Sequence, residues 1–191
     1  TADTASPAHR RGAGARAGRS RSGGVGRSSA RGPQAQWDFG FNYEAQLLAA
    51  QGYIVVMPNP RGSFGYGQKF ASAINKDWGG PDLIDVMAAM DFGIDKGWVD
   101  SERMAVYGWS YGGMLTNHVI TKTNRFAAAI TGASATLYVS NYGHDQYQRW
   151  WEEELGFPWL VENKEAWDRI SPFYALEQVT TPTLVVGGEE D

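Results

Sequence analysis

Ser110 stands in the stretch Val106–Ile120, VYGWSYGGMLTNHVI, with a glycine two positions before it and another two after. A serine so flanked is a candidate acyl-transfer nucleophile, although GxSxG alone is a weak signal in a chain with 24 glycines. Its neighbours give it weight. MAVYGW, ahead of it, is a short run of strand formers, and YGGMLTNHVITK behind it reads as a helix. On so sharp a strand-to-helix turn the hydroxyl is pushed up at the helix N-terminus, and side chains at the flanking glycines would strike strand and helix. The chemistry expected is attack on a carbonyl carbon, with the backbone N–H of Tyr111 as one donor to the developing oxyanion and the helix terminus reinforcing it. A helix N-cap serine beside a glycine turn is the structural alternative.

Such a serine needs a base, and the sequence holds three histidines, His9, His118 and His144. His9 lies in an arginine-rich arm. His118 is eight residues past Ser110 on the same expected helix, about 12 Å along its axis, and reads as a packing residue. His144 falls in an irregular aromatic-rich insertion, where no spacing argument brings it to Ser110 and lining a pocket is its ordinary role. There is no cysteine, which removes thiolate catalysis, disulfides and Cys-based zinc sites. No HExxH, P-loop or dinucleotide fingerprint opening a helix after a strand occurs, so no metal and no cofactor is expected.

The elements that would hold Ser110 are legible from Trp37 onward. EAQLLAAQ predicts a helix stopped by Gly52, and YIVVMP (Tyr53–Pro58) a buried strand leading into the glycine-rich loop Asn59–Gly67. Leu83, Met87, Met90 and Ile94 form an amphipathic stripe after Pro81-Asp82. FAAAIT (Phe126–Thr131) and TPTLVVGG read as further strands, separated by an insertion expected to hold two or three short helices. Strands alternating with helices at this spacing predict an α/β fold, a mostly parallel sheet with helices on both faces. Within the insertion, Trp150–Leu155 (WWEEEL) reads as a solvated helix face with its aromatics toward the core. Arg61 reads as a tie between its loop and a neighbouring acid rather than as a carboxylate-binding group.

The 191 residues suffice for about one domain, and 42% hydrophobic content suffices for one core. Charge is uneven. Residues 1–36 carry seven Arg against one Asp, whereas residues 37–191 are acidic enough to bring the whole chain to −4. An acidic body is a poor nucleic-acid surface, so no nucleic-acid partner is expected. Residues 1–36, rich in Arg, Gly and Ser, cannot bury enough surface to offset ordering and are expected to be a disordered tail; an RNA- or DNA-binding arm is the lesser reading. No apolar run is long enough for a membrane span and no signal segment is visible, so a cytoplasmic protein without a membrane partner is expected.

GWSYGG at Gly108–Gly113, with NPRGSFGYG at Asn59–Gly67, DWGGPDLIDV at Asp77–Val86 and SPFYALEQVTTPTLVVGGEED at the end, resembles the catalytic domain of the prolyl oligopeptidase family of serine peptidases. The wording is nearest to its acylaminoacyl-peptidase and dipeptidyl-peptidase-like bacterial members, and the resemblance extends from about Gln36 to Asp191. It implies an α/β-hydrolase fold, here a partial peptidase domain over 37–191 that is incomplete at its C-terminal end. It implies hydrolysis of short peptides through a Ser, Asp, His triad, and an upstream β-propeller that restricts access. Carried over by residue, Ser110 is the nucleophile. The segment GGEED puts Asp191 at the acid, with Gly187 where the family usually has His; Glu189 and Glu190 are weaker alternatives, and a solvated chain end is the plain one. The family's oxyanion loop aligns with Ala30-Arg31-Gly32-Pro33, of which only Gly32 and Pro33 match, so the second oxyanion donor stays unassigned. α/β-Hydrolase triads run Ser, acid, His along the chain, which puts the histidine beyond Asp191. With Thr1 at one end and the apolar run PTLVVGG close to the other, the expectation is a truncated domain, inactive or nearly so as given. A carboxylesterase-like acyl hydrolase of the same fold and a non-catalytic fragment are the alternatives.

Overall fold

The computed structural model of the chain describes residues 21–25 and 35–189. Five strands, β1 (Arg21–Val25), β2 (Tyr53–Val56), β3 (Ala105–Trp109), β4 (Ala128–Gly132) and β5 (Thr183–Val186), form one sheet in the order β2-β1-β3-β4-β5. Every pairing is parallel. Around it lie α1 (Tyr43–Ala50), α2 (Gln68–Ala71), α3 (Pro81–Asp95), α4 (Tyr111–Lys122), α5 (Tyr138–His144), α6 (Gln148–Leu155) and α7 (Val161–Ile170). Short 3₁₀ turns cover Ser72–Ile74 and Pro172–Gln178.

The local causes are conventional. Asn42 caps α1, its side-chain oxygen accepting from Ala45 N at 2.8 Å. Pro81 sits in the first turn of α3, where its missing N–H deprives the helix of nothing. The stripe of α3 buries Leu83, Val86 and Met90 against Val106 of β3, Ala129 of β4 and Leu115, Val119 and Ile120 of α4. Strand periodicity sends the alternate residues to the other side, where the Tyr107 hydroxyl reaches Glu44 of α1 at 3.4 Å. The sheet therefore carries helices on both faces. A second apolar cluster, built from Ile74, Trp78, Tyr111, Tyr138, Trp151, Leu155, Trp167 and their neighbours, fills the space between the start of α4 and the α5–α7 insertion.

Two expectations need correction. Within the segment 1–36, read as a disordered tail, Arg21–Val25 form β1, which pairs with β2 and β3 in the sheet; residues 1–20 and 26–34 lie outside the described residues. A parallel ladder is made by backbone groups alone, so a slot between two strands can order RSGGV although its composition gives no strand signal. In α6 the acidic run is not wholly a solvated face: Glu154 is buried beside Trp151 and Leu155, while Arg149 and Glu153 pair outside at 2.9 Å.

Candidate active site

β3 ends at Trp109 and α4 begins at Tyr111, so Ser110 alone makes the turn. Its backbone adopts φ 57°, ψ −124°, a positive φ uncommon for a residue with a Cβ. Neighbouring groups impose it. Ser110 N–H donates to Gly132 O of β4 at 2.9 Å, and Ser110 O accepts from Met114 N at 3.0 Å. A Cβ on Gly108 would fall onto the backbone of Gly112, and one on Gly113 would stand 2.6 Å from Gly132 O. These glycines let strand, helix and the next strand approach closely enough to force the turn. Ser110 stands at the N-cap position of α4, but its half-buried side chain makes no capping hydrogen bond among the described residues. The first N–H groups of α4, that of Tyr111 among them, have no intrahelical carbonyl to donate to.

The acid assigned from the resemblance, Asp191, lies outside the described residues, as do Glu190, His9 and the oxyanion segment Ala30–Pro33. The register of the sheet sets where the described residues after β5 leave it. Trp109 of β3 pairs with Gly132 of β4, and Gly132 pairs with Val186 of β5. The three strands end side by side, so residues 187–189 leave the sheet at the end where Ser110 sits, two strand spacings or about 10 Å across. Glu189 is exposed in the turn there.

Neither described histidine stands as base to Ser110. His118 is buried, its Nε2 paired with the Tyr138 hydroxyl at 3.0 Å, and burial, aided by the Lys122 ammonium, pushes its pKa down to about 3. It is a neutral packing residue. His144 ends α5, exposed, with no bond to Ser110 among the described residues.

The glycine-rich loop after β2 is held by residues of two kinds. Arg61 grips Asp85 of α3 with Nε to Oδ2 at 2.9 Å and Nη2 to Oδ1 at 2.8 Å, its backbone N–H adds a bond to Oδ2, and Nη2 also reaches Pro81 O. Asn59 accepts from Trp37 N at 2.7 Å and donates to Trp37 O at 2.9 Å, which pins the chain that leads in from the oxyanion segment. Asn59 went unread in the sequence, where an Asn before Pro signals only a turn.

Asp82 was likewise missed. It is completely buried in the first turn of α3, where Oδ1 accepts from Leu83 N at 2.9 Å and Oδ2 from the Tyr111 hydroxyl at 2.8 Å. Burial raises its pKa to about 6 against the opposing pull of those donors. Among the described residues no group of three or more His, Asp or Glu side chains is placed to hold a metal ion, and no helix is long and apolar enough to cross a membrane.

Comparison with known proteins puts this geometry in context. The model of the prolyl oligopeptidase family matches residues 39–191. The uncharacterised peptidase YuxL of Bacillus subtilis is 40% identical over 84% of this chain and 24% of its own length. Dipeptidyl-peptidase 5 of Porphyromonas gingivalis is 32% identical over 81% of this chain and 23% of its own. Among solved structures, the acylaminoacyl peptidase of Pyrococcus horikoshii superposes with a TM-score of 0.79 at 28% identity, covering 88% of this chain and 27% of that one. The chain thus spans about a quarter of the length of the relatives it matches. Its parallel sheet, the helices on both faces and the strained serine after β3 are those of an α/β-hydrolase. By the match over four-fifths of its residues and by the motifs around Ser110, the chain belongs to the prolyl oligopeptidase family.

Proposed function

We propose that this chain is the nucleophile-bearing part of a serine-type peptidase that cleaves short peptides. The observation that carries the reading is Ser110 at φ 57° between β3 and α4, its side chain uncapped at the helix N-terminus. In the first step the Ser110 oxygen bonds to the peptide carbonyl carbon, its proton passes to an imidazole, and the carbonyl electron pair moves onto oxygen. The Tyr111 N–H and the N-terminal field of α4 stabilise that oxyanion. Collapse expels the amine, which takes the proton from the imidazole, and water then hydrolyses the acyl-enzyme by the same route. Asp191 is the group assigned to orient the imidazole and to stay ionised while it is charged.

The family's triad order puts that imidazole after the acid, and the surroundings of His118 and His144 offer no substitute. A β-propeller that limits substrate length belongs to the proposal on the family resemblance alone. The test uses the protein at its natural length, assayed with peptide anilides and short acyl esters and labelled with a fluorophosphonate. The expected result is anilide hydrolysis and labelling, both removed by Ser110→Ala with a loss on the order of 10⁶ in turnover. Preference for esters with no anilide cleavage would favour the esterase alternative, and a wild-type protein that neither labels nor hydrolyses sinks the proposal.

A further inference from the structure

Tyr111 divides its work between backbone and side chain. Its N–H opens α4 next to the nucleophile, while its side chain turns inward, 5% exposed, with the ring edge-on to Trp78 at 5.6 Å and 89°. The hydroxyl at the tip donates to Asp82, a residue 29 positions earlier on a different helix. Helix α3 does not need this bond. The first turn of α3 is already served by Oδ1, which accepts from Leu83 N, and an apolar pair would fill the space around Tyr111 without burying a carboxylate. What the buried pair adds is direction. A rigid ring anchored at both ends restricts how far the start of α4 can tilt or rotate.

The other side of the turn is already held. Ser110 N–H is fixed to Gly132 O, and Ser110 O to Met114 N. The peptide group joining Ser110 to Tyr111 is thus gripped from the serine side by β4 and α4, and from the tyrosine side through the phenol. Hydrogen bonds weaken steeply as donor and acceptor leave alignment, so a small rotation of this peptide matters more to an oxyanion donor than to packing.

Resting on the reading of Ser110 as nucleophile, we infer that Asp82 is a positioning residue for acyl transfer: by accepting the Tyr111 hydroxyl it aims the Tyr111 N–H at the oxygen that becomes negative in the tetrahedral intermediate. Asp82 touches no reacting atom and exchanges no proton in the step. The neighbouring aromatic Tyr138 provides the contrast. It is as deeply buried and lies in the same layer, 5.5 Å from Trp78, but its hydroxyl meets His118.

The test compares Tyr111→Phe, Asp82→Asn, the double variant and Tyr138→Phe in the natural-length protein, with peptide anilides and with a peptide boronic acid whose serine adduct mimics the tetrahedral intermediate. Tyr111→Phe removes one oxygen and keeps the ring against Trp78, so it stays informative even where Asp82→Asn does not fold. The expected result for Tyr111→Phe is a kcat about tenfold or more lower, with KM within about twofold and a parallel loss of boronate affinity, short of the loss on removing an oxyanion donor outright. Asp82→Asn follows the same pattern, and the double variant is no worse than the more damaged single, since Asp82 acts through Tyr111. Tyr138→Phe lowers the melting temperature without the selective fall in kcat. Unchanged kcat and boronate affinity in Tyr111→Phe, additive losses in the double variant, or an equal kcat loss in Tyr138→Phe would each overturn the inference while leaving the peptidase reading intact. A wild-type protein without turnover removes both.

Discussion

Holding a residue with a Cβ at φ 57° costs on the order of 1–3 kcal/mol, so the fold around Ser110 has to outweigh a local preference for relaxing. It does so by crowding, because Gly108 leaves no room between the end of β3 and the Gly112 backbone, and ten of the twelve residues of α4 are buried. Gly108→Ala tests the crowding. The added methyl meets backbone rather than a flexible side-chain tip, so α4 has to shift, at a cost of about 1–3 kcal/mol or more. We expect a lower urea midpoint together with loss of fluorophosphonate labelling, and an unchanged midpoint would show that the turn is loose. The elbow was readable from sequence because its sterics are contiguous, with strand, serine, glycines and helix lying within Val106–Ile120. Asp82 was not, because its partner is 29 residues away and the dipeptide Pro81-Asp82 looks like any helix start.

At the scale of elements, the same contrast separates α3 from β1. Helix α1 follows from its Asn42 cap and α3 from its stripe after Pro81, both written in their own residues. β1 follows from its position between β2 and β3, and RSGGV, amid arginines and glycines, carries no trace of that position. Composition measures what a segment can bury by itself, which is why it read 1–36 as disordered. The loop after β2 is an intermediate case: its glycines marked it as a loop, but only the structure shows Arg61 clasping both Asp85 oxygens and Pro81 O, at the turn that also holds Asp82. A lysine at position 61 has one compact charge and cannot reproduce this fork. We therefore expect Arg61→Lys to lower both the urea midpoint and kcat. Arg149→Lys, in an exposed pair with Glu153 one helical turn away, serves as the reference and should change neither. Equal effects of the two substitutions would mean that the loop is held by other contacts.

Over the whole molecule, α4 joins the two apolar clusters, with Leu115, Val119 and Ile120 in one and Tyr111 in the other, so opening either exposes its buried polar groups. Two of these groups titrate in opposite senses. His118 is held down to about 3 by burial first and by Lys122 second, from an ordinary value of 6.5. Its contribution to stability is complete above pH 6.5 and is lost as pH falls toward 3, because the unfolded chain takes up a proton that the folded chain refuses. Asp82, raised by burial from 3.8 to about 6, does the reverse: its contribution is complete below pH 3.8 and is lost as pH rises through about 6. Between these limits the two partly cancel, and the wider His118 interval leaves a net gain in stability with rising pH. A pKa unit corresponds to about 1.4 kcal/mol, so the His118 share is on the order of a few kcal/mol. Urea unfolding of wild type and His118→Gln between pH 4 and 7 isolates that share, since the exposed carboxylates contribute alike to both. The expected outcome is a wild-type advantage that grows with pH and levels off above about 6.5, and an advantage independent of pH would show that water reaches His118 in the folded protein.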